Sequence, residues 1–214
     1  MTKDERVLHL KTPEDMLAVL KERGRLLKTF KKGDKISVWN RMEKDYEYEL
    51  TEAPGKGFAT GFKPWKSPGE MLELGIFEGK YLNDCILEFP AEWFLFALAK
   101  DKLRPSDPTT EVNYMKADSR QPLSEWKRKG WVPGGKKGGI LADPKNPDER
   151  GWFQWYCRYW MGRRIPDLDT EQIRRWGAFT RHAAQIRANC TPGDLSCRPR
   201  QRQALLQWAW NPRI

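Results

Sequence analysis

The chain has 214 residues, 39% of them hydrophobic and 32% charged, with eleven tryptophans and a formal net charge of +10 at pH 7. That much apolar and aromatic material excludes intrinsic disorder despite the charge, and a chain of this length folds as one domain or two small ones. The longest apolar stretch, 89–99, contains Pro90 and Glu92 and falls well short of the roughly 20 residues a membrane-spanning helix needs. No apolar leader opens the chain either, so an intracellular protein, cytoplasmic or nuclear, is expected, with no membrane partner.

Thr12-Pro13-Glu14-Asp15 reads as a cap, a proline at the first helical position and acids in the first turn, which predicts a helix over 13–23 stopped by Gly24. Residues 25–30 and 35–39 flank the turn-like Lys32-Gly33-Asp34, and Tyr46, Tyr48 and Leu50 alternate with Glu47 and Glu49, so an antiparallel sheet of two or three strands follows. The Gly- and Pro-rich stretch 53–69 is a long loop or boundary. Ser67-Pro68-Gly69-Glu70 starts a short helix that ends at Gly75, and a glycine-bracketed turn, Gly75 to Tyr81, leads to an apolar helix from Pro90 to about Lys100.

Residues 122–129 form a further short helix before Gly130. Three helix signals close the chain: Asn146-Pro147-Asp148-Glu149 with a helix to Met161, Asp169 with Gln172 starting a second that runs to about Asn189, and Pro199 starting a third to about Trp210. The expected fold is therefore α+β and predominantly helical, with a small N-terminal antiparallel sheet and a C-terminal three-helix unit. Its divisions are a small α+β segment at 1–52, a loop-rich segment with short helices at 53–132, a linker or variable loop at 133–147, and a Trp/Arg-rich helical module at 148–214.

That last module is where the charge accumulates: residues 151–214 carry eleven cations, all arginine, against four acids. Guanidinium forks pair with phosphate and stack on rings in ways lysine does not. Arg163, Arg164, Arg174, Arg175, Arg181, Arg198 and Arg202 are the candidates for gripping a polyanion. Within the crowded start of the third helix, Arg198 and Arg202 should face outward and Arg200 should turn toward the rest of the protein, because residues two apart diverge by about 200°. A solvated basic face is the competing explanation of the arginines.

Trp152, Trp155, Tyr156, Tyr159, Trp160 and Arg163 share one helical stripe, which is either a base-stacking platform or, as the favoured reading, a core stripe. Asp84, Cys85 and Glu88 sit in the polar turn before Pro90 and are the candidates for acid, base or nucleophile, although side chains that merely cap the following helix would look the same. Cys190 and Cys197 close a turn of six residues. With Cys157 and His182 they could supply a Cys3His zinc set, and a disulfide and ordinary reduced thiols are the alternatives, the thiols being favoured. No cofactor is expected beyond that alternative of zinc. The chain contains no phosphate-binding glycine loop, HExxH or GxSxG, and Gly55-Lys-Gly57 lacks the spacing of a P-loop.

The blocks Gly151-Trp-Phe-Gln-Trp-Tyr-Cys-Arg-Tyr159 with Gly162-Arg-Arg164, Gln121-Pro-Leu-Ser-Glu-Trp126, and Cys197-Arg-Pro-Arg-Gln-Arg-Gln-Ala-Leu-Leu-Gln-Trp208 resemble those of a family of uncharacterised proteins of bacteria, microalgae and fungi. The likeness covers roughly residues 60–214 and implies no activity. Its fungal members lack the Cys190–Cys197 turn, which argues against a shared metal. Binding of nucleic acid or another polyanion through the C-terminal module is thus the expected function. The alternatives are an enzyme acting on nucleic acid or nucleotides, and a basic subunit of a protein assembly.

Overall fold

Hydroxyl residues placed just before a proline start the first two helices. In this computed structural model, which describes residues 3–214, α1 (Pro13–Arg23) opens on Thr12, whose side chain accepts from the Asp15 N–H while the Asp15 carboxylate takes the Thr12 N–H in return. α2 (Pro68–Glu73) repeats the device with Ser67 and Glu70. Each reciprocal pair satisfies N–H groups that a helix start otherwise leaves without partners.

Between these helices β1 (Lys35–Ser37) and β2 (Glu47–Glu49) pair antiparallel, with Ile36 opposite Tyr48 and both side chains buried. The segment 25–30, expected as a strand, is instead irregular around one 3-10 turn over Leu27–Thr29. Its backbone groups are used elsewhere: the Arg25 carbonyl accepts from Ala91 N–H at 2.8 Å and the Leu27 N–H donates to the Glu92 carboxylate at 2.7 Å. Those bonds fasten it to the start of α3 (Ala91–Ala99) and leave no ladder for a third strand.

The apolar α3 finds its partners in α1 and α2. Gly69 is what lets α2 come so close, since a Cβ there would fall 2.5 Å from the Trp93 ring. α4 (Leu123–Lys129) ends on Gly130 in the left-handed conformation and keeps no side chain fully buried. α5 (Trp152–Met161) is the opposite, a helix buried on nearly every side.

Phe62, from the Gly- and Pro-rich loop, meets the rings of Trp155, Tyr156, Tyr159 and Trp176 edge-on at 5.0–5.8 Å. The stripe is therefore core, and the loop is ordered by the ring it inserts. α5 begins at Trp152, later than the Asn146–Glu149 signal: Asn146 forms a side-chain turn with the Asp148 N–H, and the Asp148 carboxylate turns inward to arginines instead of capping.

The long helix expected over 169–189 is two helices, α6 (Pro166–Gly177) and α7 (Thr180–Asn189). At the break, Phe179 swings onto Trp208, its ring centroid 4.3 Å away, and its N–H bonds the Trp176 carbonyl three residues back. α8 (Pro199–Gln207) packs on α7 through Ala183, Ile186 and Leu205. The molecule is thus a predominantly helical α+β protein with a two-stranded sheet. Its main hydrophobic cluster runs from Val7 to Ala209 and includes Leu141 of the segment expected as a linker; with Ala142 and Asn146 also buried, part of that segment is packed wall.

Candidate nucleic-acid interface

The arginines of the C-terminal module divide into two populations. Arg158, which sequence reasoning did not single out, is fully buried: its guanidinium donates to Glu88 at 2.6 Å, Glu43 at 2.9 Å and Asp148 at 3.0 Å, beneath the ring of Tyr46. Arg163 is buried beside it, bidentate on Asp148 at 2.7 and 2.9 Å. Arg164 lies over Tyr159 and donates to the carbonyls of Lys56, Gly57 and Tyr159, pinning the glycine loop to α5. Gly162 makes room for that junction, because a Cβ there would fall 2.0 Å from the Glu52 carbonyl oxygen.

Arg202 overturns the expected orientation of the third helix. It is completely buried, donating to the carbonyls of Asp194, Cys197, Pro212 and Ile214, whereas Arg200 is the exposed one, touching only Asp118. The reason is visible in the spacing: Arg202 shares the face of Leu205 and Leu206, and Arg200 does not. Arg163 and Arg202 thus have no surface to offer a polyanion. Arg198 is exposed at the α8 start and bonds Gln201.

The acid–base candidates are absorbed by the same interior. Asp84 accepts from the Arg41 N–H and the Arg150 guanidinium, Glu88 belongs to Arg158, and burial pushes the Cys85 thiol well up, the wrong direction for a nucleophilic thiolate. Burial likewise raises the carboxyl of Glu88 despite its arginine. The zinc set does not assemble: Cys190 and Cys197 form a disulfide, Cys157 is buried in the core, and His182 meets the Gln201 side chain. The favoured expectation of reduced thiols at 190 and 197 gives way to that bridge. Among the described residues no group of three or more His, Cys, Asp or Glu is placed to hold a metal.

A second population of cations converges on a cavity of about 820 Å³. One wall is α4 and the loop after it, with Trp126, Trp131 and Lys137; the other is α6, the α6–α7 turn and the end of α8. Arg174, Arg175 and Arg181, three of the seven expected arginines, line it together. Along its floor runs a column of rings, Trp152 on Trp208 at 4.7 Å, Trp208 on Phe179 at 4.3 Å, and Phe179 against His182 at 4.8 Å, with the core residue Tyr156 stacked on Trp152 at 5.2 Å.

The charges of the cavity are unequally matched. Arg174 is paired with Glu171, Lys129 with Glu125 and Arg120 with Glu78. Among the described residues Arg175, Arg181 and Lys137 have no carboxylate within salt-bridge distance. Arg175 is held between the faces of Trp131 and Trp208, 5.3 and 5.0 Å from their centroids, with one nitrogen on the Gln172 side-chain oxygen. Burial pushes its pKa down to about 10, against the nearby charge of Glu171. In the same wall the Gln207 side chain is buried; its oxygen accepts from Ser119, and its Nε2 has no partner.

A smaller hollow of about 560 Å³ adjoins the first and shares Tyr81, Arg120, Gln121 and Trp126 with it. Glu78 stands in its wall, buried, with a left-handed backbone at φ 58°. Its carboxyl is raised, chiefly by burial and also by Asp118, and Arg120 lies 3.1 Å away. Glu78 went unnoticed in the sequence, where the bracketing Gly75 and Gly79 were its only signal.

No family model, curated protein or solved structure matches the chain. Among the described residues no helix is long and apolar enough to cross a membrane.

Proposed function

We propose that this protein binds single-stranded nucleic acid, an unpaired base entering the cavity between α4 and the α6–α8 face. The observation that carries this function is Arg175, a guanidinium with no carboxylate in salt-bridge contact, lying over two tryptophan rings beside a stacked column of rings. Aromatic faces accept any base, at roughly 1–3 kcal/mol per stacked base, and unmatched cations accept its phosphates. A duplex keeps its bases stacked inside and offers the cavity nothing to enclose. The expected setting is intracellular, where such strands occur, and the partner is nucleic acid rather than an acidic protein surface.

Fluorescence anisotropy with labelled single-stranded DNA, single-stranded RNA and duplex DNA at low salt tests the proposal. Binding of a single strand well above the duplex is the expected result, and no binding to any of the three overturns it.

Glu78 supports a second reading, an enzyme acting on nucleic acid or nucleotides. Its raised carboxyl and left-handed backbone at the edge of the cavity are features that acid–base residues share. The acid–base role would then pass from Asp84, Cys85 and Glu88 to Glu78. Incubation with labelled strands and nucleotides should yield product that Glu78→Gln abolishes while leaving binding intact. Absence of product removes this alternative.

A further inference from the structure

We propose that the cavity recognises a nucleotide ending in a phosphomonoester, either free or at the end of a strand. This rests on the nucleic-acid reading above and sharpens it. The first ground is charge. Arg175, Arg181 and Lys137 line one half-open cavity with no carboxylate in salt-bridge contact among the described residues, the one acid nearest Arg175, Glu171, being already paired with Arg174, while Lys129 and Arg120 each have an acid partner. A phosphodiester inside a strand brings a single negative charge, whereas a monoester brings about 1.5 to 2 together with three acceptor oxygens. Three unmatched cations fit the second better than the first.

Geometry agrees with the charge. Arg175 is immobilised by Trp131 and Trp208, and only one of its nitrogens is engaged, on Gln172. The remaining edge of the guanidinium is free for the two-pronged contact that phosphate oxygens accept.

The wall also carries a group suited to a base edge. Gln207 is 4% exposed, its oxygen is occupied by Ser119 at 2.9 Å, and its Nε2 donor is orphaned. Buried amide donors are rarely left without an acceptor, and a ring nitrogen or carbonyl of a base would supply one once the side chain turns its Nε2, closed off from solvent as it stands, into the cavity. The volume, about 820 Å³, lies within the roughly 300–1,000 Å³ of sites for small ligands. It is the size of a compartment for one nucleotide rather than of a groove for a continuous strand.

The test compares one single-stranded oligonucleotide in three forms, phosphorylated at the 5′ end, at the 3′ end, or at neither, together with adenosine monophosphate, by anisotropy and tryptophan quenching. A preference of about tenfold or more for one phosphorylated end is expected. Lys137→Ala and Arg181→Ala change exposed side chains and should erase that preference with the melting temperature unchanged. Equal affinity for all three strands overturns the proposal and leaves single-strand binding standing. If the mononucleotide binds and no strand does, the site is confirmed for free nucleotides and the nucleic-acid reading falls. Binding of nothing overturns both, and a preference untouched in both variants overturns the assignment to these cations.

Discussion

Arg175→Met separates a guanidinium kept for a ligand from one kept for the fold. The side chain lies between Trp131 and Trp208 with Gln172 as its one hydrogen-bond acceptor. Burial, with Glu171 near but outside salt-bridge contact, brings its pKa down to about 10. At 1.36 kcal/mol per pH unit, keeping it ionised in the unliganded protein costs on the order of 3 kcal/mol, reduced by the solvent that still reaches it. Contact with the two rings returns about 0.5–2 kcal/mol.

Methionine retains the stem and its packing and removes the charge, so the variant should be more stable by about 1 kcal/mol. At roughly 2–4 °C per kcal/mol for a chain of this size, the melting temperature should rise by a few degrees. The lost charged contact, worth about 1.5–3 kcal/mol, should weaken oligonucleotide binding by about tenfold to a hundredfold. Calorimetry and anisotropy on the same preparation measure both. A variant that melts well below the parent and binds with the parent's affinity would show that Arg175 is a structural strut.

The buried network gives a prediction of opposite sign. Arg158→Met strands Glu88 and Glu43 in the interior, while Asp148 keeps Arg163, and should cost about 3–5 kcal/mol. The Glu88 carboxyl is already raised by burial, and losing its cation raises it further. A carboxyl whose folded pKa exceeds its unfolded one contributes stability at low pH that is lost as the pH rises through the folded value. The gap in melting temperature between variant and parent should therefore be wider at pH 8 than at pH 5, and a gap that does not change with pH would contradict this. At the α8 start, Arg202→Ala leaves four carbonyls without their donor and should lower the melting temperature clearly. Arg198→Ala and Arg200→Ala should stay within about 0.5 kcal/mol of the parent.

Local signals were legible in the sequence wherever one residue determines the outcome. Thr12-Pro13 and Ser67-Pro68 start their helices, and Gly130 and Gly162 stop theirs, because capping and left-handed geometry act over a few residues. The break between α6 and α7 was not legible, since it depends on Phe179 finding Trp208 across the fold.

Arginine roles split along the same line. Arg202 lies at i to Leu205, Leu206 and Ala209 at i+3, i+4 and i+7, a stripe that could have marked it as inward. Charge alone suggested the reverse. Arg163 carried a similar warning as the last member of the aromatic stripe read as core, but its partner went unseen, because Asp148 lies in a loop where it was read as part of a helix cap. The cavity was legible only in part: Arg174, Arg175 and Arg181 were singled out, but Trp131 and Lys137 come from a segment with no periodic signal, and nothing in the third helix marked Gln207 as facing a cavity.

Burial changes what the net charge of +10 means for binding. Had all seven arginines first singled out met phosphate, a single strand would release enough counterions to give a slope of about −5 in log affinity against log salt. Arg163 and Arg202 are inside, Arg164 holds a loop and Arg174 has Glu171, so the surplus is not a continuous basic surface. Three unmatched cations in the cavity predict a slope near −2, which is about a fifteenfold loss of affinity between 50 and 200 mM salt instead of about a thousandfold. The remaining affinity should come from ring stacking, which salt does not screen, and should persist at high ionic strength. A salt titration by anisotropy measures the slope directly. A value near −5 would mean that the strand continues over exposed cations such as Arg187, Arg198 and Arg200, and the compartment for one nucleotide would be the wrong picture of how this protein holds its ligand.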